Sequence, residues 1–271
     1  MIIGTMNENL NTAIVASIKA GKEILKIYNT DFKVEYKEDE SPLTIADKNA
    51  NKVIISFLKN TGIPVLSEEG RSIPYEERKN WSLLWIVDPL DGTKEFVKRN
   101  DEFTVNIALI EEGVPVLGVV YVPVTDELYF GDLNSGAYKL LNASLVYSSF
   151  DNRIDKADKL PIKRNDDNKF TVVASRSHLT KETSNFIDEL KKEHDDVQII
   201  SRGSSLKICM IAEGKADVYP RFAPTSEWDT AAGHAVVKAM GGKILQAENN
   251  NEELKYNKKD ILNPWFIVYA N

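Results

Sequence analysis

The sequence predicts a mixed α/β protein built in two joined halves, and three observations point there. Apolar residues recur at helical spacing near both ends of the chain. Short runs rich in β-branched and aromatic residues lie between them, and a polar stretch from Tyr147 to Lys169 divides the whole. The first half, residues 1–150, reads as α+β and the second, residues 151–271, as alternating α/β. At 271 residues, 42% of them hydrophobic, the chain holds enough apolar material for a large core without disulfides or a structural metal.

Leu10, Ala13, Ile14, Ser17, Ile18, Gly21, Ile24, Leu25 and Tyr28 share one helical face and predict a long first helix. The charged segment Asp31 to Glu40 reads as a strand pair or a mobile loop. Ser41-Pro42 then leads into a second helix, Thr44 to Lys59. Pro64 to Ser67 and Leu83 to Val87 are short strands, each ending in acidic residues. Phe103 to Ile110 and Val114 to Tyr121, separated by Glu111-Glu112-Gly113, form a hairpin, and Glu127 to Phe130 and Ala137 to Leu141 add strands. Past the divide come strands at Phe170 to Ala174, Val197 to Ile200, Ala216 to Tyr219 and Phe266 to Ala270. Helices at Lys181 to Lys192, Ser204 to Glu213 and Trp228 to Met240 alternate with them.

Composition excludes several functions. A net charge of -7 argues against a nucleic-acid polymer as partner, because backbone binding needs clustered Lys and Arg. An acidic protein that handles phosphate must offset its own repulsion, and divalent cations do this. Cys209 is the single cysteine and lies in an apolar run, so it reads as a packing residue in a reducing compartment. No segment has the pattern of a signal peptide or a membrane span. The expected location is the cytoplasm, with peripheral association at the inner face of a membrane left open, as is the oligomeric state.

Three acidic clusters sit where elements end: Glu68-Glu69, Asp88 with Asp91, and Asp229 at the mouth of a helix. Taken singly, each reads as a solvated turn or a helix cap. Together they offer hard oxygen ligands on a rigid scaffold, the donor set magnesium takes when it also binds phosphate and water. In Asp88-Pro89-Leu90-Asp91-Gly92-Thr93, Pro89 and Gly92 force a tight turn that puts both carboxylates on one side. A backbone carbonyl there is a further ligand candidate, and Thr93 adds a hydroxyl at a helix start.

These motifs, with Trp228-Asp229-Thr230-Ala231-Ala232-Gly233, resemble the signature of the lithium-sensitive, magnesium-dependent inositol monophosphatase superfamily. The resemblance runs from the first helix to the last strand. It implies a layered α/β/α/β/α sugar-phosphatase fold, with the metal cluster between an N-terminal α+β part and a C-terminal α/β part. It also implies that Glu68, Asp88, the Leu90 carbonyl, Asp91 and Asp229 hold two or three Mg2+ ions, with Glu69 behind them. Thr93, hydrogen-bonded to Asp47, would orient and deprotonate the attacking water.

Lys94 to Asn100, Phe103 to Ala108, Ser175-Arg176-Ser177-His178, Gly203-Ser204-Ser205-Leu206-Lys207 and Tyr219-Pro220-Arg221-Phe222 resemble the bacterial 3′(2′),5′-bisphosphate nucleotidase branch. A substrate with two separated phosphates needs a cationic site beyond the metals. Lys207 and Arg221 suit that task, with the Ser204 hydroxyl and the Gly203 backbone beside them. His178 suits stacking on or hydrogen bonding to the base. The implied substrate-binding set is Glu68, Leu90, Asp91, Gly92, Thr93, Ser175, His178, Gly203, Ser204, Lys207, Arg221 and Asp229. Trp228, Phe222 and His234 read as packing residues, and His194 as an exposed helix end without a role.

The expected reaction is removal of the 3′-phosphate from 3′-phosphoadenosine 5′-phosphate, giving AMP and phosphate. The resemblance extends it to 3′-phosphoadenylyl sulfate, and so to sulfur assimilation and nucleotide recycling. The rivals are an inositol or sugar phosphatase of the same superfamily, a non-catalytic metal-dependent nucleotide-binding protein, and a two-metal nuclease. The negative charge and lack of a basic groove disfavour the last.

Overall fold

A computed structural model describes residues 8–28, 30, 34–36, 42–148, 156–162, 169–175, 180–248 and 252–270. In chain order the elements are α1 (Glu8–Tyr28), β1 (Val34–Tyr36), β2 (Pro42–Thr44), α2 (Ile45–Leu58), β3 (Val65–Ser67), α3 (Tyr75–Arg78), β4 (Leu83–Asp91), α4 (Thr93–Lys98), β5 (Thr104–Glu111) and β6 (Val114–Val122). They continue with β7 (Glu127–Asp132), β8 (Gly136–Leu141), α5 (Ala143–Ser148), β9 (Asp158–Lys159), β10 (Phe170–Ser175), α6 (Lys181–Glu193) and β11 (Val197–Arg202). The chain ends with α7 (Leu206–Glu213), β12 (Val218–Arg221), α8 (Glu227–Ala239), β13 (Lys243–Gln246) and β14 (Phe266–Tyr269).

Strands β3 to β9 form one seven-stranded sheet in sequence order, parallel between β3 and β4 and antiparallel beyond. The two-residue period of a strand then sorts its side chains to two cores. Trp85 and Val87 on β4, with Val105, Ile107, Val119 and Tyr121, meet the buried stripe of α1 and α2. Leu84 and Ile86, with Ala108, Ile110 and Val120, face the other way, onto α7 and α8 through Ile208, Ile211, Ala232 and Val236. Behind those helices lies a five-stranded sheet in the order β11-β10-β12-β14-β13, contributing Val173, Tyr219, Phe266 and Val268 to the same core. Its outer face, through Val172, Val218, Phe222 and Ile267, is covered by Ile187 of α6. The layers are therefore helices, sheet, helices, sheet, helix, as the resemblance implied.

Helix α8 packs on the middle of the large sheet at very short range. A Cβ on Gly118 would overlap the Ala232 carbonyl oxygen, so only glycine fits there. Sheet and helix thereby share one core.

The structure refines the sequence reading at several points. Part of the charged segment is a strand, Val34–Tyr36, paired antiparallel with Pro42–Thr44 beyond it. Helix α2 starts at Ile45, and α7 starts at Leu206, two residues later than expected. Strand β4 runs on to Asp91, so the carboxylate motif lies within a strand rather than after it. Strands β9 and β13 and the short helices α3 and α5 were not expected. His194 is not idle, because its ring stacks on Phe170 at a centroid distance of 3.8 Å. Cys209, His234 and Phe222 are buried, as expected of packing residues.

Candidate active site

The site begins with an irregularity in one strand. Asp88 pairs with Asn106 and Asp91 with Thr104, so three steps along β4 face two along β5. One extra residue is a β-bulge, which twists the strand and re-aims its side chains. Pro89 has no N–H to lose at this break. Asp88 accepts the Leu90 N–H at 3.1 Å, closing the turn. Gly92, at φ +91°, then reverses the chain into α4, where a Cβ would crowd the Glu102 carbonyl oxygen at 3.2 Å. Thr93 opens α4, and its hydroxyl donates to the Leu90 carbonyl oxygen at 3.4 Å.

Asp229 arrives from the first turn of α8, where its carboxylate accepts the Ser226 N–H at 2.8 Å. Single oxygens of Asp88, Asp91 and Asp229 lie within 4.8 Å of one another. Burial drives the Asp88 carboxyl well above the ordinary carboxylate range, and the charges of Glu68, Asp91, Asp229 and Asp47 push it further. Asp229 is pushed up to about 8, by burial first and Asp91 second. Three carboxylates predicted from sequence thus gather at one point, and the charges of Glu68 and Asp47 act on it.

Such crowding of hard oxygen donors in a buried place suits divalent cations, whose charge offsets the repulsion. Asp229 supplies a sign for the test. Its folded pKa lies above the unfolded value of 3.8, so without metal its contribution to stability is full below about pH 4 and lost as pH rises through about 8. A cation must displace that proton. The rise in melting temperature on adding a divalent cation is therefore expected to be larger at pH 9 than at pH 6, read by thermal shift. An equal rise at both would contradict this account.

Asn51 of α2, unremarked in the sequence, fixes the strand end that carries Glu68. Its side chain accepts from the Ser67 hydroxyl at 2.9 Å and donates to the Glu69 carbonyl at 3.1 Å. Asp47, one turn before it, is buried at 1% exposure.

Asp91 is held from the opposite side by a turn at residues 203–205. Its Oδ2 accepts from the Ser204 hydroxyl (2.5 Å), the Ser205 N–H (2.7 Å) and the Ser205 hydroxyl (2.9 Å). Ser204 adopts a left-handed φ of +50°, unusual for a residue with a Cβ, which lets consecutive residues face the same carboxylate. The Gly203 N–H is engaged by Glu102 at 2.7 Å.

Lys207 and Arg221 lie beside this turn. The Lys207 ammonium donates to the Ser204 carbonyl at 2.7 Å and sits 5.7 Å from the centre of the Tyr219 ring. Burial lowers its pKa to about 8, with Arg221 acting in the same direction and Asp91 against it. Arg221 donates to the Pro224 carbonyl at 3.1 Å. Ser175 ends β10 beside Arg202, and His178 lies outside the described residues.

A model of the inositol monophosphatase family matches residues 6–267. The chain belongs to that family of metal-dependent enzymes and is a phosphoric monoester hydrolase. Among its relatives, the 3′(2′),5′-bisphosphate nucleotidase CysQ of Salmonella typhimurium is 44% identical over 254 residues, covering 92% of this chain and 94% of the relative. The CysQ of Escherichia coli K12 is 42% identical, with the same coverage. The crystal structure of CysQ from Bacteroides thetaiotaomicron superposes with a TM-score of 0.87 at 52% identity, over 98% of both chains. Among the described residues, no helix is long and apolar enough to cross a membrane.

Proposed function

We propose that this enzyme is a Mg2+-dependent 3′(2′),5′-bisphosphate nucleotidase that hydrolyses 3′-phosphoadenosine 5′-phosphate to AMP and phosphate. The observation that carries the reading is the pair of cations, Lys207 bonded to the turn that grips Asp91 and Arg221 whose charge acts on Lys207, beside the cluster of Asp88, Asp91 and Asp229. A monophosphate needs one anion site, whereas a bisphosphate needs two. The sequence likeness to CysQ supports the same substrate class.

In this reading Glu68, Asp88, the Leu90 carbonyl, Asp91 and Asp229 would hold two or three Mg2+ ions, whose charge would polarise the phosphoryl group and offset that of the leaving oxygen. Asp47 and Thr93 orient a water in line with the 3′-phosphorus and take up its proton. The water oxygen bonds to phosphorus, the bond from phosphorus to the 3′-oxygen breaks, and that oxygen takes a proton from a solvent water. Lys207 and Arg221 hold the second phosphate, and His178 and Ser175 are assigned to the nucleoside. The same geometry extends to 3′-phosphoadenylyl sulfate, in a cytoplasmic role in sulfur assimilation. Lithium inhibition follows from the family likeness.

The test is phosphate release in magnesium buffer from 3′-phosphoadenosine 5′-phosphate and from inositol 1-phosphate. The nucleotide is expected to react much faster, and the reverse order would remove the assignment of Lys207 and Arg221. Lys207→Ala and Arg221→Ala are expected to raise KM for the bisphosphate more than for 3′-AMP. Loss of a charge-assisted bond of about 1.5–3 kcal/mol corresponds to roughly ten- to hundredfold in KM.

A further inference from the structure

The turn that grips Asp91 is itself held by a regular device. Glu102, Thr104 and Asn106 alternate along the lead-in and first residues of β5, so they present one face. They meet three consecutive residues of the opposite half. Glu102 accepts the Gly203 N–H at 2.7 Å, the Thr104 and Ser204 hydroxyls lie 2.7 Å apart, and Asn106 donates to the Ser205 hydroxyl at 2.9 Å. With the Ser204 proton given to Asp91, the Thr104 hydroxyl donates to Ser204, and the Asn106 side-chain oxygen lies 3.0 Å from Thr104 as its alternative acceptor. Thr104, Asn106 and Ser205 are at most 2% exposed, so no water competes for these bonds. The Ser205 hydroxyl, with one proton to give, also has the Asp229 carbonyl oxygen at 3.0 Å as an alternative acceptor, so the turn lies against the helix that carries the third carboxylate.

We propose that Glu102, Thr104 and Asn106 form a positioning ladder that locks the Gly203-Ser204-Ser205 turn and thereby presents Asp91 to the cations of the active site. Ser204 and Ser205 crowd Asp91 Oδ2 at close range, with the Thr104 hydroxyl and the Asn106 amide each 3.5 Å from the same oxygen, which leaves Oδ1 as the atom with capacity for a cation. These residues touch neither substrate nor cation and act through Asp91. The inference builds on the cation-binding part of the proposed function and not on the choice of substrate.

The experiment titrates Mn2+ into the substrate-free enzyme and follows loss of the free-ion paramagnetic resonance signal. Hydrogen-bonded supports of ligating carboxylates are worth about ten- to hundredfold in metal affinity. Thr104→Val keeps the shape and removes the rung, so it is expected to weaken Mn2+ binding about tenfold while the metal-free melting temperature shifts little. Thr104→Ser, which restores the hydroxyl, is expected to recover the affinity. Should Thr104→Val fail to fold, Ser205→Ala decides by the same titration, since it removes one donor to Asp91 and leaves the backbone bond. Mn2+ affinity within twofold of the parent for the folded variant would overturn the ladder. Because no nucleotide enters the titration, this outcome is separate from whether the enzyme prefers a bisphosphate.

Discussion

Asp91→Asn is expected to lower phosphate release on the order of a thousandfold while leaving the metal-free fold intact. A divalent cation supplies several kcal/mol of transition-state stabilisation, and each 1.36 kcal/mol is tenfold in rate. The asparagine oxygen still accepts from Ser204 and Ser205, as Asp91 Oδ2 does. Its amide group turns instead toward Asp88 and Asp229, giving two crowded carboxylates a donor in place of a like charge. The metal-free melting temperature is therefore expected to hold or rise, as cation-induced stabilisation disappears. Near-normal turnover would remove Asp91 from the metal site. A collapse of the metal-free fold would show that its charge is structural.

The second large effect lies far from the chemistry. Lys139 on β8 is buried, and its ammonium pairs with Glu213 at 3.0 Å and Glu127 at 3.1 Å. Glu213, at the end of α7, also accepts from the Tyr129 hydroxyl at 2.9 Å. Burial and the charges of Glu213 and Glu127 raise the Tyr129 hydroxyl, so it stays protonated and donating. Removing one member of a buried pair costs about 3–5 kcal/mol, because the partner is left charged in a poor solvent. Glu127 still faces Lys139, so Glu213→Ala is expected to cost about 3 kcal/mol. For a chain of this size that is a fall of roughly 6–12 °C in melting temperature. The triple change Lys139→Met, Glu213→Leu, Tyr129→Phe is expected to regain most of it, since apolar groups of similar volume replace buried ion pairs with little loss. A fall that persists in the triple variant would assign the effect to packing.

These two sites differ in how much of them the sequence discloses. Asp88 and Asp91 are legible because a proline and a glycine beside them break an apolar strand, although the break is a bulge within β4 and not a turn after it. Asp229 is legible from the helix that follows it. The Lys139–Glu213 pair is not. The two residues stand 74 positions apart, and each looks like an ordinary charged residue near an element's end. Thr104 and Asn106 fall in a strand whose apolar neighbours predict the strand but not what its polar members meet. Their partners lie about a hundred residues away, and no local pattern encodes that distance. Strand β13 was missed for a simpler reason. Lys243–Gln246 has one fully buried residue in four, too little alternation to read.

The layer order, by contrast, follows from alternation along β4 and β5, where every second residue belongs to a different core. Two cores on one sheet require helices on both faces.

Helix α8 carries a consequence of its own. Pressed against Gly118 on one side, and with Gly233 so near Ile208 of α7 that a Cβ would stand 2.8 Å from its side chain, it works as a rivet between the large sheet and α7. Asp229 sits at the head of that rivet, and Asp88 and Asp91 sit on the plate it fastens. The gap across the carboxylates is thus a fixed gauge rather than a pair of jaws. Evolutionary change in what the enzyme accepts must then fall on the rim, where Lys207 and Arg221 stand, while the reacting end keeps one calibration for every substrate that fits.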